Sequence, residues 1–314
     1  MNLHEHKEEF EQLVTIVARY VGIPDDAVRR DYFIVKMMQN LQNSEYADMC
    51  VFKGGTSLSK CYPGSINRFS EDIDLTFIPV DDMNDKQYSK ALKRVESTIV
   101  HGFQMEKIES ERNDRNKSAY VWPESESKET CRIKLEIGSS VRPDPFSKKE
   151  MKTYIQEYLE ANGMDNAVTE FELETVSVNT LDVTRTFLDK VMSVKRHAIC
   201  GTLIGKVRHI YDVTALFERS DIQEFLKDTE KLKELLILTK KTDSYYLQKR
   251  NISGEYNPVE AYAFERWKHY FNADIKDRYE VLHEDLLYTS EKQDFEKAIE
   301  TFESVSRIFS EIGE

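Results

Sequence analysis

The chain of 314 residues has a formal net charge of −13, with 40% hydrophobic and 11% aromatic residues. This composition is globular, excludes an intrinsically disordered chain, and allows one large domain or two ordinary domains. The acidic balance excludes a generally basic nucleic-acid binder, so any contact with nucleic acid must come from a local basic patch.

Cysteine spacing and apolar runs exclude further classes of protein. Cys50, Cys61, Cys131 and Cys200 are widely spaced and form no CxxC pair, so we expect neither a zinc site nor a disulfide framework. No run of about eighteen apolar residues is present, so we expect no membrane span and no membrane partner. The charged start MNLHEHKEEFEQL has no apolar signal core, which predicts a cytoplasmic location.

The chain begins with two predicted helices and a strand. Apolar residues recur at helical spacing over residues 3–21, and Gly22 is placed to end that helix. A second helix is predicted over residues 28–41. Residues 49–53 are apolar and predict a short strand.

Residues 51–77, VFKGGTSLSKCYPGSINRFSEDIDLTF, are the chemically most informative stretch. The first strand stops at two adjacent glycines, and a helix is predicted over residues 56–61. A second strand is predicted over residues 73–80.

The remainder divides into a mixed part and a helical part. The mixed part continues with a helix at 87–105, a hairpin of strands at 119–122 and 130–137, a helix at 148–160 and a strand at 169–178. The helical part has predicted helices at 183–199, 205–219, 221–239, 258–272, 276–287 and 291–312. The predicted helix at 87–105 places Leu92, Val95, Ile99 and Phe103 on one apolar face.

Two carboxylates on the second predicted strand indicate a metal site. Asp72 and Asp74 share one face of the strand, about 7 Å apart, while Ile73 and Leu75 face the other way. The two negative charges repel each other, and a divalent cation such as Mg²⁺ or Mn²⁺ resolves that repulsion. The alternative is a solvated sheet edge with two surface aspartates.

The glycines upstream indicate a phosphate-binding turn. Gly54 and Gly55 let the backbone approach a ligand closely, and the N–H groups of a helix start favour phosphate. The supporting hydroxyl and cationic side chains are Thr56, Ser57, Ser59, Lys53, Lys60 and Arg68. Together with the carboxylates, they favour a site for a metal–nucleotide complex.

Glu136 is the candidate for a third metal-binding carboxylate. It lies on an alternating strand, with Ile133, Leu135 and Ile137 on the opposite face. A two-metal site needs a further carboxylate, and Glu136 would supply it if the two strands are neighbours. The alternative is an ordinary pair of Lys134 and Glu136 facing solvent.

The motifs KGGTSLSK and RFSEDIDL resemble the signature of the AbiEii/AbiGii-type toxin family, a branch of the DNA polymerase β-like nucleotidyltransferase superfamily. The resemblance assigns the superfamily's glycine turn and acidic pair to Gly54, Gly55, Thr56, Ser57, Asp72 and Asp74. The Arg-x-Ser-x-Asp-x-Asp form of this branch is at Arg68, Ser70, Asp72 and Asp74, after a spacer longer than the superfamily's usual one. The residues that the resemblance implies for nucleotide binding are Lys53, Gly54, Gly55, Thr56, Ser57, Arg68, Ser70 and Lys190.

The resemblance also assigns roles in the helical part. Lys190 in FLDKVMSVKRHA would contact nucleotide phosphates, and Asp212 in VRHIYDVTAL would be a catalytic or structural acid beside them. Position in the helix alone favours a surface lysine at 190, and Asp212 could pair with Arg208 at i, i+4. We expect His209 to be a packing or polar-flank residue rather than a base.

The expected fold class is an α/β (α+β) nucleotidyltransferase core with a mixed sheet over residues 1–180, followed by an all-helical domain over 181–314 that closes the active-site cleft. The resemblance implies a Mg²⁺-dependent nucleotidyltransferase of a type IV toxin–antitoxin or phage-defence system. Its substrate would be an NTP, its acceptor tRNA or another RNA, and its protein partner a cognate antitoxin. The alternatives are nucleotidyl transfer to a small molecule or protein, and nucleotide binding without catalysis.

Overall fold

The computed structural model describes residues 2–79, 82–139, 142–250 and 256–313. The chain forms two compact units. The first comprises Met1–Cys61 and Phe69–Leu181, and the second comprises Tyr62–Arg68 and Asp182–Glu314. Within the described ranges, no helix has both the length and the apolar character needed to cross a membrane.

The first unit is built on a mixed seven-stranded sheet. Its strands are β1 (Cys50–Lys53), β2 (Asp72–Phe77), β3 (Phe103–Lys107), β4 (Asn116–Pro123), β5 (Ile133–Gly138), β6 (Phe146–Met151) and β7 (Val176–Leu181), in the spatial order β3-β4-β5-β2-β1-β7-β6. β2 runs parallel to β5, and β1 runs parallel to β7, whereas the other neighbouring pairs are antiparallel. The mixed sheet and the antiparallel pairing of β4 with β5 predicted from the sequence are therefore confirmed, although the second strand begins at Ile133 and not at residue 130, which lies in a helical turn, Lys128–Cys131.

Seven α-helices accompany this sheet within the described residues of the first unit. They are α1 (Lys7–Val21), α2 (Asp25–Gln42), α3 (Gly54–Cys61), α4 (Asp85–Ile99), α5 (Lys128–Cys131), α6 (Tyr154–Ala161) and α7 (Asp165–Glu170). Of these, α2, α3, α4 and α5 contact the strands, and α1, α6 and α7 pack on other helices. α4 packs on β4 and β5 and buries Leu92, Val95 and Ile99, the first three residues of its predicted apolar face. α1 ends at Gly22, whose φ of 80° is left-handed, as its sequence position predicted.

The second unit is helical, as predicted. Its helices are α8 (Val183–Ile199), α9 (Val207–Phe217), α10 (Ser220–Lys227), α11 (Thr229–Arg250), α12 (Ala273–Glu280), α13 (Leu282–Asp285) and α14 (Phe295–Glu311). Phe187, Val191, Val194 and Ala198 on α8 are all buried, so this helix presents one continuous apolar stripe to its neighbours.

The predicted helix at 87–105 is wrong in its last part. α4 ends at Ile99, and Gly102 adopts a φ of 81°, which a continuing helix does not tolerate. Phe103 therefore begins β3. The ring of Phe103 packs against the ring of Phe33 on α2 at a centroid distance of 6.1 Å. Phe103 therefore makes an apolar contact, as predicted, but it does so from a strand.

The predictions for 148–160 and 169–178 are each wrong in their first part. The first segment begins as β6 and becomes helical only in α6, and the second begins as α7 and becomes extended only in β7. β6 is the edge strand of the sheet, and most of its side chains are exposed. It therefore has no alternation of apolar and polar residues by which a strand could be predicted. The strand predicted at 73–80 ends at Phe77, and residue 80 lies outside the described residues.

The helix predicted at 258–272 is also wrong. Phe264, Trp267 and Phe271 have helical spacing, but the chain there forms two short 3-10 turns, Phe264–Arg266 and Lys268–Tyr270. The three rings pack against one another with centroid distances from 4.7 to 6.0 Å. The helix predicted at 221–239 is interrupted at Asp228, between α10 and α11.

Candidate functional site

The sheet register brings the predicted acidic residues of the first unit together. Asp74 on β2 lies directly opposite Lys53 on β1 and Glu136 on β5. Asp72 lies opposite Lys134 on β5. Directly opposed residues project from the same face of a sheet, so these five side chains share the face that the apolar core does not use. Each of the five is partly exposed.

Gly54 lies against the carboxylate of Asp74. A Cβ atom at Gly54 would lie 2.4 Å from Asp74 Oδ2, and the φ of Gly54 is +88°. Glycine is the amino acid that fits position 54, because it adopts the left-handed conformation without strain and has no side chain to displace the carboxylate of Asp74. The first glycine of the motif thus places the start of α3 beside Asp74.

We expect Gly54→Ala to abolish most activity by moving Asp74, with a cost of about 1–2 kcal/mol in folding for the left-handed backbone. Gly102→Ala is the matched control, because Gly102 has a φ of +81° in the same unit and nothing within 4 Å of its Cβ position. The measurements are the urea unfolding midpoint and the initial rate of nucleotide transfer. The same loss of rate in both variants would show that the Asp74 contact is irrelevant.

The hydroxyl groups after Gly54 hold the turn in shape. Thr56 Oγ1 donates a hydrogen bond of 3.1 Å to Ser70 Oγ, and Ser57 Oγ donates one of 3.0 Å to the Gly54 carbonyl oxygen. Thr56 and Ser57 are 1% and 0% exposed. In this structure both hydroxyls are bonded within the protein, and the first bond joins α3 to the segment before β2.

Lys60 does not supply charge to this site, contrary to the sequence interpretation. Its amine is buried, lies 2.8 Å from Asp31 Oδ1 and stands 3.9 Å from the ring centroid of Tyr154. Burial raises the pKa of Asp31 although Lys60 opposes that shift. Lys60 therefore belongs to the packing between α3 and its neighbours.

Glu136 has a partner on its own strand. Lys134 Nζ lies 2.5 Å from Glu136 Oε1 and 2.8 Å from Glu111 Oε2. Partial burial opposes the charged form of Lys134, but these two carboxylates raise the pKa of the amine above its ordinary value. The Lys134–Glu136 pair that the sequence left open as an alternative is thus present. The role of Glu136 as a third metal ligand stays a prediction.

The donor set on this face fits a hard divalent cation through two carboxylates. Among the residues that the structure describes, no three carboxylate, imidazole or thiol groups are grouped so that they could hold a metal ion. Mg²⁺ is usually held by one or two carboxylates plus water and the phosphates of the substrate, so a third protein ligand is not required. Asp72 and Asp74, with Gly54 leaving room for the second carboxylate, meet that requirement.

The second unit contains a buried cluster of three other predicted residues. Arg68 binds Asp212 in bidentate fashion, with Nε 2.6 Å from Oδ1 and Nη2 2.8 Å from Oδ2. Lys190 Nζ lies 2.7 Å from Oδ2 of the same carboxylate. Arg68 is 2% exposed, Asp212 is 0% exposed and Lys190 is 6% exposed. The alternatives that Lys190 is a surface lysine and that Asp212 pairs with Arg208 are both wrong.

The charges of this cluster are strongly coupled. Burial alone would raise the pKa of Asp212, but Arg68 and Lys190 hold that pKa well below its ordinary value. Burial and Arg68 lower the pKa of Lys190, while Asp212 opposes the shift. Asp212 therefore stays ionised, and the cluster carries one net positive charge when both cations are protonated. Burial and Lys190 lower the pKa of His209, whose Nδ1 lies 3.1 Å from Ser193 Oγ, and this fits the polar-flank role predicted for it.

Two aromatic residues on the open sheet face were not predicted from the sequence as part of the site. Tyr120 lies opposite Lys134, and Trp122 follows two residues later on β4, so both share the face that carries Asp72 and Asp74. Both rings are partly exposed. Their alternation with the buried Ala119 and Val121 was a signal in the sequence, but it was used only to predict a hairpin.

Comparisons with known proteins match most of the chain to one family. The family model described as "Nucleotidyl transferase AbiEii toxin, Type IV TA system" matches residues 36–305. MenT4, a nucleotidyltransferase toxin from Mycobacterium tuberculosis H37Rv, has a similar fold, with a TM-score of 0.50 and 16% identity over 95% of this chain and 98% of that one. JHP933 from Helicobacter pylori aligns with a TM-score of 0.41 and 17% identity over 92% and 94% of the two chains. No curated protein sequence matches the chain.

Proposed function

Because this chain belongs to the AbiEii family of nucleotidyl transferase toxins of type IV toxin–antitoxin systems, we propose that it transfers a nucleoside monophosphate from an NTP to an RNA acceptor, foremost tRNA. The family makes the chain a nucleotidyltransferase. The observation that carries the proposed site is the contact of Asp74 with Gly54, which places a carboxylate beside the start of α3, with Asp72 on the same sheet face.

In the proposed site, the two aspartates hold the cation and the start of α3 receives phosphate. Asp72 and Asp74 would hold Mg²⁺ or Mn²⁺ through their carboxylate oxygens. When bound, the cation neutralises charge on the transferred phosphate and lowers the pKa of the attacking hydroxyl. Gly54 and Gly55 let the triphosphate approach the backbone N–H groups of α3 closely. Lys53, opposite Asp74, adds a positive charge on the same face.

We assign Lys190 to the phosphates of the substrate and Asp212 to holding Lys190. The buried cluster has one positive charge more than the single carboxylate neutralises, and it supports binding of an anionic group. Arg68 uses both its Nε and its Nη2 to bind Asp212, so we assign Arg68 to the support of that carboxylate. The family also implies a cognate antitoxin as the protein partner.

Transfer to a small molecule or a protein is the second candidate. The net charge of −13 favours it, since an acidic body repels the phosphates of RNA. Transfer to RNA requires a surface where that repulsion is locally reversed.

The proposal is tested by incubating the protein with Mg²⁺, each of the four labelled NTPs in turn, and total tRNA. We expect label in the RNA with at least one NTP, and mass spectrometry of the tRNA then identifies the base and the position of addition. Label that appears in protein or small molecules, with none in RNA, would replace the RNA acceptor by the second candidate. Chelation of the metal should stop the incorporation.

A further inference from the structure

The open face of the first unit's sheet continues beyond the carboxylates. Tyr120 on β4 lies opposite Lys134 on β5, which lies opposite Asp72 on β2. Neighbouring strands are about 4.8 Å apart, so Tyr120 stands two strands, or about 10 Å, from the aspartate. Trp122 lies further along the same face of β4, and α4 packs on the opposite face of the sheet.

Two cations accompany these rings. The Arg132 guanidinium carbon lies 4.6 Å from the ring centroid of Tyr120. Lys128 Nζ lies 5.7 Å from the ring of Trp122, and 2.5 Å from Glu106 Oε2. Arg132 is exposed, and among the described residues it has no acidic partner. Its guanidinium contacts the Tyr120 ring and is open to a ligand from solvent.

We propose that Tyr120, Trp122 and Arg132 form a stacking surface that binds unpaired bases of the acceptor RNA beside the transfer site, an inference that rests on the proposed RNA acceptor. Partly exposed aromatic rings on an open sheet face bind single-stranded RNA by stacking with its bases, and arginine guanidinium planes extend such a surface. Arg132 supplies the cation of this surface, next to the Tyr120 ring.

The positions of the charges favour RNA, and not the base of the incoming NTP, as the group that stacks on Tyr120 and Trp122. The phosphates of an NTP belong at the carboxylates of Asp72 and Asp74, where the cation is held. Arg132 directly precedes β5, so it and the Tyr120 ring lie on the opposite side of β2 from β1 and the glycine turn that would hold those phosphates. A polynucleotide has one phosphate per residue, so Arg132 can meet its backbone while the rings stack with its bases. The surface therefore suits a strand that passes toward the aspartates.

The test measures binding of a fluorescein-labelled single-stranded RNA by anisotropy, without NTP. We expect Trp122→Ala to raise the Kd roughly tenfold, within the range for the loss of one stacked base, and Trp122→Phe to restore most of the affinity. The apparent KM for NTP should stay unchanged in all these variants. Arg132→Ala should lower the slope of log Kd against log salt by about 0.7.

Arg94 supplies the matched control for charge. It is an exposed arginine of the same unit, but it lies on α4, which packs on the opposite face of the sheet. Arg94→Ala should therefore leave the affinity and its salt dependence close to wild type. An equal loss in Arg94→Ala and Arg132→Ala would show that only the net charge matters and would overturn the proposal.

A second measurement uses the fluorescence of Trp122. The chain has two tryptophans, and Trp267 is buried among Phe264 and Phe271, so Trp267→Phe leaves Trp122 as the sole reporter. We expect the RNA to quench this emission, because a stacked base contacts the indole ring.

The outcomes separate the stacking surface from the RNA acceptor. RNA binding to the wild type that is unchanged in Trp122→Ala, with no quenching, overturns the surface and leaves the proposed function standing. A rise in the KM for NTP with unchanged RNA affinity assigns the rings to the nucleotide base and also overturns the proposal. Failure of the wild type to bind RNA removes both the acceptor and the surface.

Discussion

Replacing Asp74 with asparagine is expected to reduce nucleotide transfer by roughly a thousandfold or more, equivalent to about 4 kcal/mol of transition-state stabilisation. Asparagine keeps the size of the side chain, so the contact with Gly54 and the register of β2 are retained. It removes the negative charge that would hold the divalent cation. The measurement is the initial rate of labelled-nucleotide incorporation at matched concentrations of NTP and Mg²⁺.

The same substitution should leave the unfolding midpoint unchanged or slightly raised. Asp72 and Asp74 project from the same face of one strand, and in metal-free buffer the removal of one negative charge reduces the repulsion between them. Asp114→Asn is the control, since Asp114 is exposed in the same unit and outside the strand. A rate in Asp74→Asn close to that of this control would contradict the metal-site assignment. We expect a smaller loss for Glu136→Gln, because Lys134 already pairs with that carboxylate.

Replacing Asp212 with asparagine is expected to destabilise the protein by about 3–5 kcal/mol, because it leaves Arg68 and Lys190 buried without their counter-charge. The carboxylate is 0% exposed and accepts from both cations at 2.6 to 2.8 Å. Water cannot replace it at that depth without opening the cluster. The shift in the urea unfolding midpoint at constant slope measures this loss.

Asp221 provides the matched comparison. Its carboxylate binds Arg219 at 2.8 Å in the same unit, but 45% of the side chain is exposed. Surface ion pairs contribute between about 0 and 1 kcal/mol to stability, so Asp221→Asn should change the free energy of unfolding very little. Equal losses of unfolding free energy in Asp212→Asn and Asp221→Asn would show that burial does not cause the large effect expected at Asp212.

The pH dependence of the Asp212 contribution follows from its lowered pKa. A carboxylate with a folded-state pKa below its unfolded value stabilises the fold above the unfolded pKa, near pH 4, and loses this contribution as the pH falls through the folded pKa. The stability difference between wild type and Asp212→Asn should therefore be constant from neutral pH down to about pH 4 and narrow at lower pH. A difference that grows on acidification would refute the assigned direction of the shift.

The glycine turn and the acidic pair of the first unit could be predicted from the sequence because their residues are near one another along the chain. The two glycines, the short helix and the acidic pair lie within residues 51–77, and alternation alone placed Glu136 on the face opposite Leu135. Apolar and polar residues alternate along a strand when only one of its faces is buried, and the strands predicted from this alternation were correct for β2, β4 and β5. It was absent from the exposed edge strand β6, where the prediction failed.

The partners of the charged residues could be decided only by the tertiary structure. Arg68 and Asp212 are 144 residues apart, and Arg68 groups with the helical unit although its neighbour Ser70 belongs to the first. Lys60 and Lys190 look alike in sequence, each a lysine in a helix, and each is buried against a carboxylate from another helix. Periodicity reports which face of an element is apolar, whereas the partner of a buried charge depends on contacts that only the folded chain creates. The sequence therefore determined the carboxylate pair and the glycine turn, and the tertiary structure decided which carboxylate each buried cation contacts.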